Sequence, residues 1–247
     1  MSKRRLLLIG LGLYLLLLLA SAPATLVDGA ARDASGGRVR VVQAQGTLWS
    51  GSGQLEIRDP RGGSALVRPV AWRLRPLALF GLRLGYVVAL GADSPPFPLT
   101  VFFSRVEVAD AAISLPASAL AAAMPKLQAY GVSGDVQVQI ASLSIASAAM
   151  RGNATLQWRG ASSALAPVSP LGDYQLRLEA DGAQVRSTLM TLQGPLQLNG
   201  HGAWPSGSKP EFFATAQVQP PYRRQLAPFL RLIAVERRDG SFEWRLQ

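Results

Sequence analysis

The hydrophobic positions of this chain follow two different rules. Ser2-Lys3-Arg4-Arg5 is followed by an uncharged, almost wholly apolar run from Leu6 to Val27, with Asp28 the next charged residue. A run of that length predicts one helix able to cross a bilayer core, because each helical residue advances about 1.5 Å and the core is about 30 Å thick. After the run the pattern becomes period two, the mark of half-buried strands. Arg38-Val39-Arg40-Val41-Val42, Gln54-Leu55-Glu56-Ile57-Arg58, Leu82-Arg83-Leu84-Gly85-Tyr86-Val87-Val88 and Arg105-Val106-Glu107-Val108 each alternate, as strands with one wet and one apolar face do in antiparallel sheets. Asp59-Pro60-Arg61-Gly62-Gly63 predicts a turn, and Ala65–Leu74 a further strand. Pro69 inside it points to an edge or a bulge, since proline cannot donate to a ladder.

Helical periodicity is scarce beyond the apolar run. Pro116–Met124 suits a short helix ended by Pro125. Tyr222–Leu232 suits another, with Leu226, Phe229, Leu230 and Ile233 on one side. A helix capping an open sheet explains this second segment better than membrane contact through Arg223, Arg224 and Arg231. Each helix leads through a glycine turn into an alternating strand, Val132–Ile140 in one case and Phe242–Leu246 in the other. Trp49–Ile57 is echoed by Met150–Trp158, and Phe80–Leu84 by Tyr174–Leu178. The expected organisation is therefore a cytoplasmic stub and transmembrane anchor (1–27), a linker (28–37), and two β-rich units (38–141 and 142–247), each with a short helix. The fold class is mainly β and antiparallel. Ser162–Pro170 reads as a loop within the second unit.

The basic stub should remain in the cytoplasm, which places everything after Asp28 in the periplasm of a bacterium with a cell inner membrane. A cleaved signal peptide is the competing reading. It is disfavoured because Pro23 would follow a cut after Ala22 and would lie inside the next small-x-small motif.

Composition narrows the chemistry. The chain has no cysteine, which removes disulfides, thiolate metal sites and cysteine nucleophiles. It has 25 Lys+Arg against 15 Asp+Glu, a net charge of +10. An arginine-rich codon bias explains much of that excess, and attraction to anionic lipid headgroups or an acidic partner is the functional alternative. Nucleic acid is not expected as a partner, because no basic run with interleaved aromatics follows residue 5. The single histidine, His201, lies between Gly200 and Gly202 with no nucleophile elbow elsewhere. Glu179 and Asp181 are two apart on a strand pattern and read as a solvated face rather than a converging acid pair. No catalytic, metal-binding or cofactor-binding residues and no cofactor are expected. Trp49, Trp72, Trp158, Trp204 and Trp244 all fall in strand-like contexts, and Trp49 is flanked by Gly46 and Gly51. Such rings fill a concave sheet face, or line a groove for a lipid chain or a peptide.

Three stretches carry a resemblance. They are Gly46-Thr47-Leu48-Trp49-Ser50-Gly51, Ala71-Trp72-Arg73-Leu74-Arg75-Pro76-Leu77-Ala78-Leu79-Phe80-Gly81, and Gly194-Pro195-Leu196-Gln197-Leu198-Asn199-Gly200-His201-Gly202-Ala203-Trp204. Together with the basic stub and apolar span, they make the chain similar to the N component of bacterial type II secretion systems, the GspN family. The motif positions are Gly46, Leu48, Trp49, Gly51, Trp72, Pro76, Leu79, Gly200, Gly202 and Trp204, and their role is expected to be structural. The resemblance implies a non-enzymatic protein anchored once in the inner membrane, assisting export of folded proteins across the outer membrane. Its expected partners are other type II secretion inner-membrane components or the secretin, and membrane lipids. The alternative is a periplasmic lipid-binding or lipid-transfer protein with an open β groove.

Overall fold

The computed structural model describes residues 3–58, 64–92, 94–123, 129–146, 149–205, 211–237 and 240–246. The expected turn at 59–63 lies outside these, as do Met124 and Pro125. Four helices are described: α1 (Lys3–Ala20), α2 (Thr25–Ser35), α3 (Ala117–Ala123) and α4 (Arg223–Ile233). The strands are β1 (Val39–Gly46), β2 (Ser50–Arg58), β3 (Ser64–Arg75), β4 (Leu84–Leu90), β5 (Phe97–Val101), β6 (Arg105–Pro116) and β7 (Val132–Ala146). They continue with β8 (Ala149–Ser163), β9 (Gly172–Asp181), β10 (Gln184–Gln193), β11 (Leu196–Pro205), β12 (Glu211–Val218), β13 (Val235–Glu236) and β14 (Phe242–Leu246). All pair antiparallel in one 14-stranded sheet. Its order follows the sequence from β1 to β12 and ends β12-β14-β13. The expected join between residues 141 and 142 falls inside β7 at its bulge, where Ala141 is unpaired and pairing resumes at Ser142.

Register turns the period-two pattern into two surfaces. Ile113, Val138, Leu156, Leu176, Leu189, Gly200, Ala214 and Trp244 stand opposite one another in one row. The next row, Ala112, Gln139, Thr155, Arg177, Thr188, His201, Phe213 and Arg245, faces the other way and is mostly polar. At strand spacings of about 4.8 Å, each row runs for about 34 Å. The apolar face carries a core cluster at each of its two ends, and between them α3 packs on β3, β6 and β7, burying Ala117, Ala121 and Val136. One core cluster joins Ala24, Val41, Val70, Trp72 and Tyr86, and the other joins Leu171, Leu196, Ala216, Phe242 and the α4 residues Leu226, Phe229 and Leu230. Helix α4 therefore caps the sheet, as its spacing predicted. Between the clusters, Ile113, Val138, Leu156, Leu176 and Leu178 are only half-buried.

Pro69 shows why a proline survives inside β3. It pairs with Gln54 on β2, while its carbonyl accepts from Gly91 N at 2.8 Å, just past the end of β4. Its missing donor thus points to where β4 has stopped, so the position is a local edge.

The apolar run differs from its expected form. It is two helices rather than one, and the linker 28–37 is largely helical. Pro23 ends α1 because it lacks the N–H that Leu19 O would accept and its ring would clash with that carbonyl. The Ser21 side chain bonds Leu17 O at 2.7 Å, closing the last turn. Among the described residues no helix is long and apolar enough to cross a membrane.

Helix α2 closes the free edge of β1. Ser35 Oγ accepts from Val39 N and Asp28 Oδ1 from Val41 N, both at 2.9 Å. Arg40 grips Asp28 with two 2.8 Å bonds, and Arg32 adds a third at 3.2 Å. The Arg40 guanidinium holds the Asp28 carboxyl well below its usual range. A lowered folded value means the stabilisation is full above the usual carboxylate pKa of about 4 and is lost as pH falls below it. Asp28→Asn should lower the stability of this edge by about 1 kcal/mol, the carboxylate being partly solvent-screened. Hydrogen exchange at the Val39 and Val41 amides checks this: protection should fall in the variant, and in the parent only under acid conditions.

Candidate functional site

The first motif group forms a knot where α1 meets the sheet. Gly46 has φ +90°, and a Cβ there would lie 2.6 Å from Ser50 O. Leu48, half-buried, donates its N–H to Ala22 O at 2.8 Å. Trp49 donates Nε1–H to Leu19 O at 2.8 Å, supplying the donor that Pro23 lacks. Trp72 is buried and donates to the carbonyls of Thr47 and Leu48, both at 3.2 Å. Gly51 makes room for it, since a Cβ there would stand 2.6 Å from Trp72 Cζ2. Pro76 opens a short 3-10 turn, Pro76–Gly81, on which Leu79 is exposed.

This knot lies at one end of the sheet, the base. The register brings the β3–β4, β5–β6, β7–β8 and β9–β10 connections to the same end. Leu77, Phe80, Leu82 and Phe103 sit in the first two of these and are 80% or more exposed. Arg75 and Arg83 flank them, and Arg105 lies over the Phe102 ring at 4.1 Å.

The second motif group lies at the opposite edge. Gly200 and Gly202 allow close approach of β12: a Cβ on Gly200 would be 2.8 Å from Phe213 O, and one on Gly202 2.7 Å from Glu211 O. Beside them, under α4, is an apolar cavity of about 360 Å³ lined by Trp158, Tyr174, Leu198, Phe212 and Ala214 among others. Trp158 packs edge-on to Tyr174 at 6.2 Å, and Phe212 to Trp244 at 5.9 Å. Tyr174 O–H donates to Leu196 O at 3.0 Å, and burial pushes its phenol up from the ordinary value. Among the described residues no charged side chain lines this cavity.

The remaining chemical candidates lie on the polar face. His201 is exposed and stacks on Phe213 at 5.8 Å. Glu179 borders an open depression of about 580 Å³ with Asp110 and Arg177. Asp181 instead closes the β9–β10 turn, accepting from Ala183 N and Gln184 N and pairing with Arg186 at 2.8 Å, contacts that lower its pKa. Among the described residues no group of three or more His, Asp or Glu side chains could hold a metal.

Residues 37–245 match the family described as type II secretion system (T2SS), protein N. The chain belongs to that family. It is thereby a component of type II secretion, and the matched span takes in all ten motif positions. No curated protein and no solved structure matches it. For this protein N, the structure divides the motif residues between the base knot and the α4 side of the sheet rather than bringing them to one centre. Leu77, Phe80, Leu82 and Phe103 at the base and the lining of the cavity under α4 are absent from the motif set. Leu82 was expected to open a strand, which begins instead at Leu84 after the 3-10 turn that holds Leu77 and Phe80. The cavity had no sequence signal, because its lining converges from β8 to β14.

Two glycine substitutions separate packing from propensity. Gly51→Ala should destabilise the chain by about 2 kcal/mol through its clash with Trp72. Gly29→Ala, in α2 with nothing within 4 Å of the added methyl, should stabilise it by about 0.5–1 kcal/mol. Urea unfolding followed by tryptophan emission provides the measurement.

Proposed function

We propose that this protein N is a non-enzymatic scaffold of the type II secretion envelope complex, seated on the periplasmic side of the inner membrane by α1 and by the base of its sheet. The observation that carries this reading is the set of exposed Leu77, Phe80, Leu82 and Phe103 at the end of the sheet where α1 joins it. Exposed large apolar residues gathered at one end of a molecule mark a membrane or protein contact. Here they share that end with a leucine-rich helix whose side chains are exposed all around. Arginines beside them suit anionic headgroups, and Trp49 is a residue type that favours the membrane interface.

The apolar part of α1, Leu6–Ala20, covers about 22 Å, short of a 30 Å core. Arg4 reaches outward by snorkelling, and the base loops take up the remainder by sitting in the headgroup layer. Seated this way, the strands stand away from the bilayer and carry the opposite end of the sheet into the periplasm.

Partner contact is assigned to the other edge of the sheet. Helix α2 blocks β1, whereas β13 covers only Phe242 and Glu243 of β14. The backbone of residues 244–246 is thus open to strand addition from another secretion component or the secretin. Such pairing needs backbone groups and adjoining side-chain pockets, both present beside Trp244.

The absence of cysteine makes the seating directly measurable. A polarity-sensitive fluorophore on Leu82→Cys should move to an apolar environment when the full chain is reconstituted in anionic phospholipid vesicles, and lipid-borne quenchers should reach it. The same probe on Leu192→Cys, at the far end, should stay in water. Equal water exposure at both sites would sink the seating. In cells, deleting the gene should impair secretion of type II substrates, and Phe80→Ser/Leu82→Ser/Phe103→Ser should restore it poorly; undiminished secretion after deletion would refute the scaffold role.

A further inference from the structure

We propose that the cavity beneath α4 binds one acyl chain of a membrane lipid. The cavity, about 360 Å³, is at the small end of ligand pockets. It exists because Ala161, Ala214 and Ala216 stand where larger residues would fill the space under Phe229 and Leu230. Its wall is aliphatic and aromatic, with serine and threonine as its only polar side chains apart from the tyrosine phenols. Such a wall offers no counter-charge to an ion or to a charged peptide, and burial of an uncharged hydrocarbon is the favourable use of it.

The surroundings select a linear ligand. The apolar row continues from the cavity through Leu189, Leu176 and Leu156 to Val138 and Ile113, only half-buried. Next to Phe212, on the same face, Ser187 is 2% exposed and its Oγ has no partner; Trp204 Nε1 is also buried without one. Both lie on the base side of the cavity, one strand apart, since Ser187 pairs with Gly202 and Val185 with Trp204. Buried polar groups ordinarily have partners. Neither Ser187 nor Trp204 lines the cavity, so an acyl chain would run its tail under α4 and its head along the half-buried strip. The ligand class then agrees with the bilayer that the base is proposed to touch, and the inference rests on that reading.

The test uses the full chain in vesicles of phosphatidylethanolamine and phosphatidylglycerol. The probes are a phospholipid with a photoreactive diazirine in one acyl chain and, separately, a diazirine fatty acid. After irradiation, adducts are mapped by proteolysis and mass spectrometry. Adducts at Tyr174, Leu189 and Leu198 are expected, competed by excess unlabelled lipid. Labelling by both probes identifies the chain alone as the ligand, and labelling by phospholipid alone identifies the whole lipid; either supports the proposal. Ala214→Leu and the milder Leu198→Trp should each reduce cavity adducts about tenfold, equivalent to about 1.4 kcal/mol of binding. Gln197→Trp, on the polar face, should leave them unchanged. Adducts confined to α1 and the base loops would overturn the acyl site while leaving the membrane seating intact. Absence of adducts from both regions would overturn both. Cavity labelling that unlabelled lipid cannot compete, or that Leu198→Trp leaves undiminished, would also refute the site.

Discussion

Everything in this molecule depends on register. Each strand from β1 to β12 pairs with its neighbour in sequence, so the alternation of one strand is transmitted to the next. A slip by a single residue would exchange the apolar and polar faces of every strand beyond it. Bulges at Val42/Gln45, Ile140/Ser142 and Trp158/Ala161 take up the irregularities locally. The result is one long apolar strip, with α2 and α4 at its ends and α3 spanning from β3 to β7 between them. Single sheets this wide usually curl or are covered by a second layer; here the central strip is left half-open.

The second constraint is the carbonyl of Leu19. A proline four residues later leaves it Ala22 N, at 3.2 Å, as its helical donor, and a tryptophan thirty residues away adds a shorter bond at 2.8 Å. That bond fixes α1 to the β1–β2 turn, while Leu48 N and Ala22 O tie the same turn to the chain before α2. Trp72 then fills the space that Gly51 leaves. Glycine and tryptophan are used together because a large ring can approach a backbone closely only where no Cβ intervenes.

Local pattern made the strands legible, since Arg38–Val42, Gln54–Arg58 and Arg105–Val108 each declare a wet and a dry side. Helices α3 and α4 were legible for the same reason, through proline stops and the spacing of Leu226, Phe229 and Leu230. Helix α2 was not, because Asp28, Gly29, Arg32 and Asp33 look like a linker until Asp28 is seen bonded to the β1 edge. The split of the apolar run at Pro23 was hidden by the uniform hydropathy on either side of it. The internal echoes Trp49–Ile57 and Met150–Trp158 fall at β2 and on β8, strands with the same alternation and glycine use. The cavity was illegible because Ala161, Ala214 and Ala216 are unremarkable singly. They create space only when β8 and β12 are placed under one helix.

The closed edge at β1 also governs what assemblies are geometrically available. If both edges could add a strand, copies could join head to tail, and a repeated contact that does not close on itself grows without limit. With Ser35 and Asp28 occupying the β1 amides, only one edge can accept a neighbour. Two copies meeting there would complete a pair and stop, and a different protein meeting there would be held in a fixed ratio of one to one. Stoichiometry is thus written into a pair of side chains on α2, far from the surface where the neighbour would bind.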